Sequence, residues 1–174
     1  MAKRIRQFVS AITAKITETD IAFIQQHLNR QERHLFWAMS VPEQRHSLNV
    51  AYTALNLAQA EPKVDAVRLI KCALLHDVGK RAGDISTVDK IVTVLADKLA
   101  PNWARRWGKA GRGNKIRNLR HAFHFYFYHA QYSAERLIEI GLPDIAEIVR
   151  KHHEAPTNDD LPELRLLRKA DDAN

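Results

Sequence analysis

The residues in this chain best able to do chemistry are histidines and aspartates that fall near helix ends: His46, His76 beside Asp77, His129, His152 beside His153, and Asp171. Imidazole nitrogens and carboxylate oxygens together suit divalent zinc, iron, manganese or nickel. The predicted pattern spreads these residues over five helices. No single helix surrounds an ion with so many ligands, but a bundle can converge them, and bundle cores do build two-metal sites from facing helices. The carbonyl end of a helix favours a cation, which fits His76, Asp77, His152, His153 and Asp171 in or near final turns. Asp77 has two oxygens and could bridge two ions. Adjacent helical residues diverge by about 100°, so His152 and His153 are an awkward pair for one ion unless Pro156 lets the last turn unwind. For the stretch ALLHDVGK two plainer readings compete with a metal site, a helix that simply ends and a surface ion pair. His27, His34, His121 and His124 match no pattern and are read as surface or packing residues.

Positioning these groups falls to helices. Apolar residues recur mostly at intervals of three and four, which predicts an all-α protein. Helices are expected over residues 18–28 and 30–39, preceded by Phe8, Ile12 and Ile16 at four-residue spacing, and then over 45–60, set apart by Pro42. Asp65 is the expected N-cap of a helix carrying Val67, Leu69, Ile70, Ala73 and Leu74, whose last turn holds His76 and Asp77 and whose C′ residue is Gly79. Val88, Ile91, Val92, Leu95 and Leu99 mark the next helix, stopped by Pro101 and followed by the loop GKAGRGNK. A long helix is expected over 116–140, ended by Gly141. Another starts at Pro143 and reaches His152 and His153, and a last one starts near Pro162. Trp37, Trp103 and Trp107 are expected to fill core or inter-helix space.

With 174 residues, 45% of them hydrophobic, the chain can remove well over half of its unfolded surface from water. One domain is expected, with residues 1–40 as an N-terminal helical extension packed on the bundle and 45–173 as the motif-bearing core. The single cysteine, Cys72, excludes an internal disulfide and reads as a small buried apolar residue. No secretory apolar block follows MAKRIRQFVS, and no stretch approaches the roughly 20 apolar residues of a membrane span; a cytoplasmic protein is expected. The net charge of +7 is localised: residues 98–134 hold eight cations and no Asp or Glu, so one segment makes the protein basic.

Five pieces, QRHSLNVA, ALLHDVGK, YHAQYSAERL, VRKHHE and LLRKADDA, occur in that order and together resemble the HD-domain superfamily of metal-dependent phosphohydrolases, close to its HDIG-type members. HDVGK at the end of an apolar helix is the most specific of them. The resemblance implies an HD-type helical bundle in which His46, His76, Asp77 and Asp171 hold one metal and His129, His152 and His153 a second, with Asp77 shared. It also implies that Lys80 faces the substrate phosphate. Three departures matter. APTNDD after KHHE lacks the glycine-tyrosine-proline signature of cyclic-dinucleotide phosphodiesterases, which weighs against that substrate. Pro42 stands where a glutamate offers a further ligand in some relatives, which favours two metals over three. Ser133-Ala134 replaces a commoner glycine-alanine, which implies slightly looser helix packing.

The expected activity is hydrolysis of a phosphate ester or anhydride, of a nucleotide or related polyanion, by metal-activated hydroxide. Asp77 and Lys80 are the expected catalytic residues, with Lys80 neutralising phosphoryl oxygens. Two ions of iron, manganese, nickel or zinc are the implied cofactors. Two alternatives stand beside this: a di-iron oxygenase on the same ligand set, which consumes oxygen, and a non-catalytic nucleotide- or nucleic-acid-binding regulatory module. Residues 98–134 are expected to draw polyanionic substrates, and nucleic acid could bind there as well.

Overall fold

The computed structural model describes residues 15–83 and 86–174, and Phe8 and Ile12 lie outside them. Among the described residues there are nine helices: α1 (Glu18–His27), α2 (Arg30–Trp37), α3 (Val41–Ala58), α4 (Ala66–Leu75), α5 (Thr87–Leu99), α6 (Pro101–Trp107), α7 (Lys115–Glu139), α8 (Pro143–Arg150) and α9 (Pro162–Ala173). The fold is all-α, as the periodicity predicts. Contacts divide it into two units, residues 81–129 and the described remainder.

The first unit is built around α4, against which α1, α2, α3, α8 and α9 all pack. Its sequence AVRLIKCALL explains the central place: Leu69, Ile70, Cys72, Ala73, Leu74 and Leu75 are all buried, so the helix is apolar around nearly its whole circumference and is stable only when enclosed. Asp65 caps it as expected, accepting from Arg68 N at 3.0 Å. Capping boxes start α1 at Thr17 and α2 at Asn29, each satisfying helix-end N–H groups that would otherwise lose hydrogen bonds. Arg45, next to His46, has a structural part: it pairs with the buried Asp20 of α1, which also accepts from Tyr52 Oη at 2.8 Å.

Several expectations change. Pro42 does not set a helix apart; α3 begins at Val41, and Pro42 occupies its first turn, where a missing N–H breaks no intrahelical bond. Gly79 is not among the left-handed glycines, which are Gly83, Gly111 and Gly141. Of these, Gly141 ends α7 as expected: Leu142 N donates to Leu137 O at 2.9 Å and Gly141 N to Ile138 O at 3.0 Å, a pairing that its φ of +81° makes possible. Pro101 stops α5 but also opens the short α6, because proline is pre-set for a first helical turn.

The second unit holds α5, α6 and the first part of α7. Trp103 and Trp107 stack with ring centroids 5.5 Å apart, and both meet Phe123 edge-on. Gly108 is what lets the end of α6 approach α7 this closely: a Cβ there would lie 2.7 Å from His124 N. The periodicity correctly indicates α5 as a helix, and Val88, Val92, Leu95 and Leu99 are exposed on it.

Candidate metal centre

Within the first unit, four elements bring six of the expected residues together. α3 supplies His46. The turn after α4 supplies His76, its C-cap, and Asp77. The turns after α8 supply His152 and His153, and α9 supplies Asp171. His46, His76 and Asp171 each offer one ligand atom within 4.8 Å of the others, and so do His76, Asp77 and His152. His46 Nε2 donates to Asp171 Oδ1 at 3.0 Å and lies 3.9 Å from Asp77 Oδ2. The His76 ring lies edge-on to both His46 and His152, at centroid distances of 5.3 and 5.2 Å.

One local device orients the imidazoles. His76 Nδ1 donates to Ala73 O at 2.8 Å and His152 Nδ1 to Val149 O at 2.5 Å, each to the carbonyl three residues before it. A nitrogen facing a carbonyl must carry the proton, so in each neutral ring the lone pair sits on Nε2. His129, the last residue of the second unit, is buried and held in the same way, donating to Tyr126 O at 2.6 Å.

The fit to a metal ion is decided at His76. Its Nε2 is buried and has no hydrogen-bond partner, and its nearest polar neighbours are Asp77 Oδ2 at 3.4 Å and Asp171 Oδ1 at 3.8 Å. A lone pair and two carboxylate oxygens are all acceptors, and none can satisfy another. Asp171 Oδ1 accepts from His46 and Asp77 Oδ2 from Lys80, but the His76 lone pair has no donor; a divalent cation is the partner it lacks, and hydrogen bonding of the second ring nitrogen to a carbonyl is how metal-ligating histidines are held.

Charges around the cluster follow from the same crowding. Burial works against ionisation of Asp171, but its hydrogen bond to His46 and the charges of His76 and His46 outweigh this and hold its pKa well below the usual carboxylate range. Burial likewise opposes the charge on His46, and Asp171 and Asp77 reverse that and raise its pKa. His152 is pushed down to about 3 by burial and by His76 and His153, so it stays neutral, the form that ligates metal. Lys80 Nζ pairs with Asp77 Oδ2 at 2.7 Å. Burial disfavours its charge, while Asp77, Glu43 and Asp171 more than offset that and raise its pKa.

The two members of the His152-His153 pair differ in exposure, although their ring centroids lie 3.9 Å apart. α8 ends at Arg150, three residues short of the expected His153, and the chain turns, so His152 is buried in the group with His76 and Asp77 while His153 is exposed. Asp171 is chosen over Asp172, which faces solvent, and the end of α9 is pinned by Asn174 Nδ2 donating to Thr53 Oγ1 at 2.9 Å. Of the unmatched histidines, His27 packs on Phe23 and His124 stacks on Tyr128, as packing residues do.

The family model of the HD domain matches residues 44–173. The chain belongs to the HD-domain family. Comparison with curated proteins and with solved structures gives no match. The HD-family site therefore rests on this chain's own side chains: a His/Asp group able to hold divalent metal, as the family does.

The supporting parts of two residues were not legible in the sequence. Glu43 is buried and its charge acts on Lys80; it lies three residues before His46 on α3, and that one-turn spacing was the available signal. Ser133 is fully buried and its Oγ accepts from Gly79 N at 2.8 Å, tying α7 to the HDVG turn. The serine that implied looser packing thus satisfies a buried backbone donor. Ser133→Ala is expected to cost about 1–2 kcal/mol and to weaken metal binding by loosening the turn, read by denaturant melts and metal titration. Unchanged values for both would remove this role.

Proposed function

We propose that this HD-domain protein hydrolyses a phosphate ester or anhydride of a nucleotide-like polyanion, using two divalent metals. His46, His76, Asp77 and Asp171 would hold one. His129, His152 and His153 would hold the second, with Asp77 common to both. The observation that carries the reading is the buried His76 Nε2, which has no hydrogen-bond partner and faces the Asp77 and Asp171 carboxylates. Bound divalent metal supplies Lewis acidity and a water of lowered pKa.

The chain's own groups define the rest. Asp77 is buried and takes its position from the turn that follows α4, so its carboxylate meets the cluster without side-chain freedom to lose. Lys80 pairs with Asp77 and keeps a quarter of its side chain exposed, so its ammonium can turn from that carboxylate to an incoming phosphoryl oxygen. The net charge of +7 concentrates polyanions near the protein and favours them over singly charged esters.

The test is metal analysis of protein purified without added metal, followed by a nucleotide and phosphoester panel with phosphate release and oxygen uptake read together. Phosphate release that depends on metal supports the reading; oxygen uptake without it identifies the oxygenase alternative instead. Lys80→Ala is expected to retain metal and to slow phosphate release by tenfold or more, about 1.4 kcal/mol of transition-state stabilisation. Loss of metal in that variant would assign Lys80 to shaping the site.

A further inference from the structure

The second unit carries an apolar row that the phosphohydrolase reading does not use, together with the cations that make the chain basic. On α5, Val88, Val92, Leu95 and Leu99 follow one another at intervals of four, three and four, which puts them on one face of the helix. All four are exposed, from 38% at Val92 to 82% at Leu99. Trp103, four residues beyond Leu99, is 53% exposed although its ring stacks on Trp107. From Lys98 the chain runs through eight cations with no acid, and Lys98, Arg105, Arg106, Lys109, Arg112, Lys115 and Arg117 are exposed.

An exposed aliphatic row of this kind marks a surface that something else covers. A second copy of the unit would bring the same excess of positive charge to the contact, and like charges oppose such an approach. Single-stranded nucleic acid would answer the cations and could stack on Trp103, but it leaves the aliphatic row in water. An anionic lipid surface answers both features. Lipid phosphates take the cations, the acyl boundary takes the aliphatic side chains, and indole favours the interface between them. No helix among the described residues is long and apolar enough to cross a membrane, so the contact is peripheral.

We propose that residues 81–129 seat this protein on an anionic lipid surface, with the Val88, Val92, Leu95 and Leu99 face of α5 entering the headgroup boundary and the cations after it facing lipid phosphates. The association needs both signals, as stable peripheral anchoring generally does.

The experiment uses the full chain in flotation with vesicles of phosphatidylcholine alone and of phosphatidylcholine mixed with phosphatidylglycerol, at low and high salt, with tryptophan emission followed in parallel. Binding to the mixed vesicles alone is expected, weakened by salt and accompanied by a blue shift. Two variants separate the signals: Leu95→Gln with Leu99→Gln, and Arg105→Gln with Arg106→Gln and Lys109→Gln. Each is expected to lower the affinity about tenfold or more, and because these side chains are exposed the metal content should not change. Three results would overturn the proposal: no vesicle binding by the unaltered chain; concentration-dependent dimerisation, by light scattering, that the leucine variant abolishes without any lipid effect; or salt-sensitive binding of single-stranded RNA or DNA that only the cation variant loses, with vesicles ignored.

Discussion

Asp77→Ala is expected to abolish turnover, lowering it by at least about 10³-fold, several kcal/mol of lost transition-state stabilisation, and to lower the occupancy of both metals. The reason is positional. Asp77 is buried, its Oδ2 lies 3.4 Å from His76 Nε2 and 3.9 Å from His46 Nε2, and it belongs to the same ligand group as His152. On the proposed two-metal reading, a carboxylate common to both ions would have no substitute, and its removal would leave two cations near each other without their shared counter-charge. His46→Ala makes the contrast, since it is expected to empty mainly the site it shares with His76 and Asp171. Metal content by elemental analysis and phosphate release, measured on the same preparations, decide between them. An Asp77→Ala protein that keeps both metals and its activity would falsify the two-metal reading.

The largest loss of stability is expected from Glu163→Ala. Glu163 opens α9, is 1% exposed, and its Oε1 accepts from Asp65 N at 2.9 Å and from Arg68 Nη2 at 2.7 Å. It therefore clamps the start of α9 to the start of α4, the helix at the centre of the core. Removing it strands a guanidinium and a backbone N–H together, at a cost of about 3 kcal/mol, the lower end for a broken buried pair because Arg68 is partly exposed. Burial alone would raise the pKa of Glu163, but Arg68 and the Asp65 N–H more than reverse this and hold it below its ordinary value. A depressed folded-state pKa adds stability that is complete above the unfolded value, near 4.5, and disappears as pH falls through the folded one. The unaltered protein should thus lose stability below about pH 4.5 more steeply than Glu163→Gln, which keeps the shape and lacks the charge. Denaturant melts over a pH series measure both effects; parallel acid profiles would show that the carboxylate is not the clamp.

The sequence by itself determined what depends on neighbours along the chain. Three- and four-residue spacing produced every long helix, Asp65 and Gly141 marked a start and a stop, and histidines and aspartates near helix ends marked the candidate ligands. Even the orientation of His76 and His152 is local, because each ring bonds the carbonyl three residues before it. What only tertiary structure decided depends on residues far apart in sequence. His152 and His153 are adjacent, and it is the turn after α8, packed beside His76, that buries one and exposes the other. Ser133 and Glu43 gain their parts from Gly79 and Lys80, 54 positions away in the first case. The apolar face of α5 shows the limit most directly. Periodicity reports that one side of a helix is apolar, and the same pattern serves a buried core or an outward face, because the burial free energy belongs to whatever covers that side and not to the helix itself.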